Sequence, residues 1–466
     1  MRFMRELMRS GLIVLCLLNG CSIDVKEFEA PIPIPENFSL PGNQALRERW
    51  WLDFKDAALN RLIDTALKQN LDLTAAFERL EQAEAIARKT GSELIPAINA
   101  TADIVRTVEE TNSLSSSFDN FALGLVASYE LDLWGRIRAG TYAAEQDVKA
   151  AEQDIHTAAI ALSAEIARTW YQLIEQQKQL NLLNEQIVIN EQYADLVEVR
   201  FRGGQATAAD VFQQRQLLEG VVGDRYTVIA NIEVLKNQLA VLTGQAPGTL
   251  AIAISDRFPE IGELPATGLT TDLIQRRPDV RKAYYRLQAA DLRIAAAIAD
   301  RFPKIGIAAG INTSAPDLQA FFNNWMATLA GNLILPVIDG GRRVAEVERA
   351  KAAAAEALNL YGASVLQSIK EVENALSQET RQQQRLNSLR QQLRYLNEAN
   401  ENIRIRSAYG TFDFLRVLST LNSLQSMQRS MIRAERELID FRIQLYRSLA
   451  GAIPLSSPSD KSDDNV

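Results

Sequence analysis

The chain contains an internal duplication, and this feature constrains its fold more than any other. Several short motifs of the first half recur about 206 residues further along, within one residue of a common offset. The matched motifs are Asp72-Leu73 with Asp279-Val280, Arg79–Ala83 with Arg286–Ala290, Leu133–Arg136 with Asp339–Arg342, Arg200 with Arg406, and Gly204 with Gly410. Because chance would rarely hold one offset over so many motifs, we expect two tandem repeats that share one fold.

Clusters of proline and glycine mark where the repeats begin and end. Such clusters punctuate an extended arm before the first repeat and a linker between the two repeats. The predicted organisation is a signal peptide at 1–20, an N-terminal arm at 21–49, a first repeat at 50–243, a linker at 244–270, a second repeat at 271–452 and a disordered tail at 453–466.

Each repeat contains one very long predicted helix. Arg136–Arg202 and Arg342–Tyr409 contain no proline and one glycine each, and they consist mostly of residues that favour helices. A helix of this length extends roughly 100 Å. From Ile166 and Leu173 onward, apolar residues recur every seven positions, which predicts supercoiled helix packing. The segment Glu175–Gln186 is rich in Gln, Asn and Glu, and we expect it to face water.

The N-terminus has the features of a bacterial lipoprotein signal. Three arginines precede the apolar run Gly11–Leu18, which is too short to span a bilayer as a helix. The run leads into Asn19-Gly20-Cys21, which resembles a lipobox, although asparagine is unusual at that place. We therefore expect a lipid on Cys21 and no other cofactor. Since Cys16 would leave with the signal, no internal disulfide is expected.

Two segments in each repeat alternate between apolar and polar residues, which predicts β-hairpins at 97–134 and 304–339. Strands that are apolar on one face and small or polar on the other are typical of a membrane β-barrel with a wet lumen. A soluble sheet buried on one face gives the same alternation, and the export signal favours the membrane. Four strands are too few to close a barrel with a lumen, and lipid does not tolerate an open edge, so the sequence predicts an oligomer.

Composition and motif content exclude several classes of function. The net charge is −8 and no segment forms a clustered basic face, so nucleic acid is not expected as a partner. His156 is the only histidine, so a His-based triad or a multi-histidine metal site is excluded. The carboxylates are spread along helical faces, where we expect solvation, and the sequence thus predicts no enzyme. The alternative to a channel is a structural coiled-coil lipoprotein, which would explain the anchor and the helices but not the four strands.

Three segments resemble the TolC-like outer-membrane efflux proteins, most closely the lipidated OprM-type branch. They are "WWLDFKDAALNRLIDTALKQNLDLTAA" at Trp50–Ala76, "YELDLWGRIRAG" at Tyr129–Gly140 and "RRPDVRKAYYRLQAADLRIAAAIADRFPKI" at Arg276–Ile305. The resemblance implies a mainly α-helical protomer with a membrane β-barrel portion, three copies of which form one 12-stranded barrel continuous with an α-helical periplasmic tunnel. It also implies that the homotrimer passively conducts small molecules, such as drugs, from a periplasmic adaptor and an inner-membrane resistance-nodulation-division pump to the exterior.

In this family the turns between the long helices carry adaptor docking and the entrance constriction, and here those turns are predicted at 202–209 and 407–413. The resemblance assigns these roles to Arg200, Gly203, Gly204, Arg406, Tyr409 and Gly410. Asp210 also matches an aspartate that is common in the first turn. The second turn departs from the family pattern, because Arg416 and Ser419 stand where aspartates are common and the nearest acid is Asp413. We hypothesise that Asp210 and Arg416 form an interhelical ion pair at the entrance; the alternative is that both are solvated.

Overall fold

The structure is a computed structural model that describes residues 25–111, 114–317, 320, 324–408 and 414–455. Its α-helices are α1 (Ala57–Gln69), α2 (Leu71–Gly91), α3 (Arg136–Arg202), α4 (Ala208–Leu242), α5 (Thr270–Arg276), α6 (Pro278–Ala299), α7 (Arg342–Ala408) and α8 (Phe414–Leu449). Its strands are β1 (Ala97–Thr111), β2 (Leu114–Leu131), β3 (Lys304–Ala315) and β4 (Met326–Ile334). The signal peptide, Cys21, Tyr409, Gly410, Asp413 and the chain from 456 onward lie outside the described residues.

The two repeats start their longest helices in the same way. Asp132 accepts hydrogen bonds from the backbone amides of Ile137 (3.0 Å) and Arg138 (2.9 Å) at the start of α3. Asp339, which is one residue closer to its helix than Asp132 is, accepts from the amide of Arg343 (3.3 Å) at the start of α7. Each carboxylate satisfies amides that have no partner within the helix. Both helices then run for 67 residues.

The repeats also share a contact at the ends of α4 and α8. In each repeat, a side chain between the two shorter helices donates to a carbonyl there. The Asn70 side chain, between α1 and α2, donates to the carbonyl of Leu242 (3.0 Å), the last residue of α4. Arg277, between α5 and α6, donates to the carbonyl of Ser448 (3.2 Å), near the end of α8. Different side chains thus satisfy corresponding helix-end carbonyls in the two halves, as expected of diverged copies of one fold.

One compact unit contains the described residues up to Ile32 together with Glu78–Glu152 and Arg281–Ser364. It holds a four-stranded antiparallel sheet with the order β1-β2-β3-β4. Each repeat supplies one hairpin, and the two hairpins meet where β2 pairs with β3. This order leaves β1 and β4 as the outer strands of the sheet. A mainly α-helical chain with four strands is the fold class that the sequence predicts.

The second unit contains Pro33–Phe77, Gln153–Val280 and the described residues from Val365 onward. Its core holds large aromatic side chains, with Trp50 stacked on Tyr446 at 5.6 Å between ring centroids. Trp170 is fully buried and donates its indole N–H to the Asp56 carboxylate (2.7 Å), which also caps α1. The part of the N-terminal arm from Pro33 onward belongs to this unit, where Ser39 donates its backbone amide to Glu373 (2.8 Å).

Several residues that the sequence predicts to be solvated or disordered are buried in the structure. Glu175, Gln179 and Gln186, expected to face water, are at most 6% exposed, because α3 packs against α8 as well as against α4. Glu379 is likewise buried, paired with Arg442 through contacts of 3.0 and 3.1 Å, rather than solvated. Ile453, assigned from the sequence to a disordered tail, is 1% exposed.

Candidate functional site

The turn between α3 and α4 is closed by a Schellman motif. The amide of Gly204 donates to the carbonyl of Phe201 (3.0 Å), and the amide of Gln205 donates to the carbonyl of Arg200 (2.8 Å). Gly204 has a φ of +72°, whereas Gly203 has no positive φ. The left-handed conformation lets the two amides turn back to the last carbonyls of the helix. Only the second of the two glycines therefore requires the conformational freedom of glycine.

Asp210 belongs to a capping box at the start of α4. Its amide donates to Thr207 Oγ1 (3.2 Å), and its carboxylate accepts from the Thr207 amide (2.7 Å) and from the Thr207 hydroxyl (2.8 Å). Asp210 is 9% exposed. The three-residue spacing between the threonine and the acid was a visible signal of this local role. The bonds that the structure gives Asp210 thus stay within its own helix cap, while Arg416 lies exposed on α8.

A small apolar cluster brings the ends of all four long helices together. Val197 of α3 and Val417 and Leu418 of α8 are buried at 2% exposure or less. The partly buried residues around them are Tyr193, Ala206, Val211 and Ile403, which come from α3, the first turn, α4 and α7. This cluster packs the start of α8 and the last turns of α7 against α3, α4 and the first turn.

Three charged residues next to the first turn form two ion pairs that share one carboxylate, which the sequence did not reveal. Glu198 accepts from Arg202 (2.8 Å) and from Arg215 (3.4 Å), so it links α3 to α4. The hydrogen bond from Arg202 is the main cause that lowers the pKa of Glu198 below its usual range. The two arginines of the predicted docking set differ in exposure, with Arg200 partly buried and Arg406 exposed.

Further from the turns, amide side chains connect α3 to α8. Gln186 donates to the carbonyl of Gln425 (3.2 Å) and accepts from Arg429 (2.7 Å). Asn190 donates to Gln425 Oε1 (3.0 Å), and Gln214 of α4 donates to the Asn190 carbonyl (3.0 Å). Gln186 and Asn190 are at most 2% exposed. Sequence reasoning missed this network, because it depends on which helices meet.

The sheet has one continuous apolar face. Directly paired residues of antiparallel strands point to the same side of the sheet. Two adjacent rows across β1 to β4 are Ile98, Ala127, Ala309 and Leu329, followed by Ala100, Leu125, Ile311 and Ala327. Leu125, Ile311 and Leu329 are 52%, 55% and 79% exposed. Such a broad exposed apolar surface indicates a lipid-facing sheet rather than one that covers a soluble core.

Polar and aromatic groups bound this apolar face at its two ends. Toward the β1–β2 turn, Arg106 pairs with Asp119 (3.6 Å). At the helical end, Trp134 stacks on Phe302 with 5.0 Å between ring centroids, and its indole N–H donates to the Pro303 carbonyl (2.8 Å). Half-exposed aromatic rings at the end of an apolar band are typical of the membrane–water boundary of a transmembrane sheet.

In the described residues, no group of three or more His, Cys, Asp or Glu side chains is placed to hold a metal ion. Within the same ranges, no helix has both the length and the apolar character required to cross a membrane. The features that stand out are therefore the apolar sheet face and the helical turns.

Comparisons with known proteins agree with this geometry. The sequence profile of the family described as "Outer membrane efflux protein" matches residues 62–245 and 269–451, one segment in each repeat. The pyoverdine export outer membrane protein OpmQ of Pseudomonas aeruginosa is 30% identical over 464 residues, which cover 95% of this chain and 96% of the relative. The toluene efflux pump outer membrane protein TtgI of Pseudomonas putida is 28% identical over 466 residues, covering 96% and 98%. The solved structure of the outer-membrane channel OprN has a TM-score of 0.85 and 28% identity, and covers 92% of this chain and 99% of that one.

Proposed function

The chain belongs to the outer membrane efflux protein family, and from this premise we propose that it forms a homotrimeric channel that serves a periplasmic adaptor and an inner-membrane resistance-nodulation-division pump. It is the outer-membrane component of an efflux system and extends into the periplasm. The family consists of efflux channels, and the channel performs no chemistry on what it conducts. Energy comes from the pump, while the trimer supplies a passive path to the exterior.

The apolar sheet face is the observation that carries this proposal. Four strands cannot enclose a lumen, and a sheet with free edges is not stable in lipid because its backbone groups lack partners there. β1 and β4 are the outer strands of the protomer, so β4 of one copy can pair with β1 of the next. Three copies then close a 12-stranded barrel whose apolar face contacts lipid.

We place the entrance and the adaptor contacts at the two turns between the long helices. The docking set is Arg200, Gly203, Gly204, Arg406, Tyr409 and Gly410. For the gate, the ion pair between Asp210 and Arg416 stays a prediction, as does a contribution from Asp413. The capping box already holds Asp210 at the start of α4, so a pair with Arg416 would have to form alongside the bonds to Thr207.

We further propose that a lipid on Cys21 holds the N-terminal arm to the outer membrane. The exported compound is set by the pump rather than by this chain. Two relatives support this assignment, because proteins named for pyoverdine export and for toluene efflux are similarly related to the chain although their compounds differ greatly.

Planar-bilayer recording of the purified protein tests the channel, with chemical cross-linking to count the copies. We expect a cross-linked trimer and discrete conductance steps. Arg416→Glu should change conductance or ion selectivity, whereas Arg381→Glu, an exposed charge on α7, should not. A trimer without conductance in either variant would favour the structural lipoprotein. If charge reversals at Asp210 and Arg416 both leave a working channel unchanged, the ion-pair gate is wrong.

A further inference from the structure

The sheet face opposite the apolar one carries an uneven distribution of charge. It includes the row Thr101, Gly124, Asn312 and Met326 and the row Asn99, Val126, Gly310 and Thr328. If the apolar face contacts lipid, this face lines the lumen, so the inference rests on the proposed function. We propose that Asp103 and Glu109, which point from β1 into the lumen, make the exit section of the channel select for cations over anions.

Cations are scarce in the segments that form the sheet. Residues 97–134 and 304–338 contain seven carboxylates but only two cations, Arg106 and Lys304. Neither cation forms an ion pair that would neutralise the charge of Asp103 or Glu109. Arg106 lies on the apolar side of β1, where it pairs with Asp119 (3.6 Å). Lys304 begins β3 at the helical end of the sheet and pairs with Asp300 (2.8 Å).

The lumen charges differ between the two ends of the sheet. At the helical end, Glu130 on the lumen face is balanced by Arg136, which donates to it at 3.0 Å. Toward the exit, Asp103 lies opposite Ala122 and Glu109 opposite Ser116, and both carboxylates are exposed. No ion pair joins Asp103 or Glu109 to another residue in the described part of the chain. The lumen is therefore balanced near the helices and acidic near the exit.

Threefold symmetry turns each of these carboxylates into a ring of three charges. Rings of acidic side chains favour cations in a pore, because their potentials add in the enclosed lumen. The effect extends about 8 Å from each charge at physiological ionic strength and about 3 Å in 1 M salt. Organic cations leaving the tunnel, such as amines and guanidinium compounds, would be concentrated at the exit, and anions would be depleted.

The local potential can be measured with a single cysteine on the lumen face. Ser314 lies in the same row as Asp103, two strands away through Ala122, which is about 10 Å. In cells that express full-length Ser314→Cys, the reaction rates of a trimethylammonium and a sulfonate methanethiosulfonate reagent give a cation-to-anion ratio. We expect Asp103→Asn with Glu109→Gln to lower this ratio about threefold or more at low ionic strength, and 1 M salt to abolish the difference.

Glu110→Gln is the matched control, because Glu110 is adjacent to Glu109 but lies on the opposite face of β1. It should leave the ratio unchanged. If the ratio does not respond to the Asp103 and Glu109 substitutions, or responds equally to Glu110→Gln, the inference is wrong. A separate cysteine at Leu125, on the apolar face, distinguishes this failure from failure of the barrel. Reaction at Leu125→Cys with none at Ser314→Cys would overturn the face assignment and hence the proposed function.

Discussion

Asp440 shows how a single residue couples the contact between α3 and α8 to pH. It lies on α8, is 7% exposed, and pairs with Arg436, which also binds Glu175 of α3 (2.8 Å). Burial raises the pKa of the Asp440 carboxyl to about 6. Glu175 and Glu437 add to the rise, and Arg436 and Arg168 oppose it.

This pKa predicts that the protein is more stable in mild acid. Because the folded pKa of Asp440 exceeds the unfolded value of about 3.9, its stabilising contribution is complete below the unfolded value and is lost as pH rises through about 6. The loss is on the order of 3 kcal/mol by pH 8. We expect the helix unfolding temperature of the wild type to fall between pH 5 and pH 8, and that of Asp440→Asn to fall less, as measured by circular dichroism.

The pKa of Asp279 is shifted in the opposite direction, so Asp279 does not contribute to the difference between the wild type and Asp440→Asn from pH 5 to pH 8. Burial acts to raise the pKa of Asp279, but the hydrogen bonds and charge of Arg277 lower it overall, so its contribution is lost only in stronger acid. Asp195→Asn, an exposed site on α3, serves as the control and should follow the wild type. Parallel curves for the wild type and Asp440→Asn would contradict the assignment.

Within the helical elements, the turn after α3 predicts different effects for two adjacent glycines. Gly204→Ala would place a side chain at φ +72° in open space, so the cost is conformational and about 1 kcal/mol. Gly203→Ala has no positive φ to accommodate, and its nearest contacts are ordinary at 3.6 and 3.7 Å. Hydrogen exchange of the Gln205 amide, which closes the turn, should become about fivefold faster in Gly204→Ala only. Equal acceleration in both variants would contradict the Schellman geometry.

The sequence predicted the elements better than their contacts, for a physical reason. Helix length and strand alternation depend on neighbouring residues, so the long helices and the faces of the sheet could be predicted from local patterns. Burial of Glu175 and Gln186 could not, because it depends on α8, which is more than 200 residues away along the chain. The capping role of Asp210 is encoded locally by its spacing from Thr207. The gate role of Asp210 was predicted from the resemblance to a family of channels.

At the scale of the whole molecule, the duplication gives the chain two hairpins joined in one sheet. The contact between β2 and β3 places the two repeats side by side, and the apolar rows continue across this junction without interruption. Both repeats therefore contribute to the face that we propose contacts lipid. The described part of the N-terminal arm supplies no strand to this sheet, and it contacts helices through Lys26, which pairs with Asp291 (3.3 Å), and through Ser39.

Because the arm supplies no strand to the proposed lipid-facing sheet, we predict that the lipid on Cys21 is dispensable for membrane residence. We expect replacement of residues 1–21 by a cleavable signal peptide without a lipobox to abolish acyl labelling, while the trimer stays in the outer membrane fraction. The control is Cys16→Ala, which should retain the label because that cysteine leaves with the signal. Each acyl methylene contributes roughly 0.8 kcal/mol to anchoring, but three copies of the apolar sheet face bury far more surface in lipid. Release of the unlipidated chain into the soluble periplasmic fraction would show that the sheet alone does not hold the protein in the membrane.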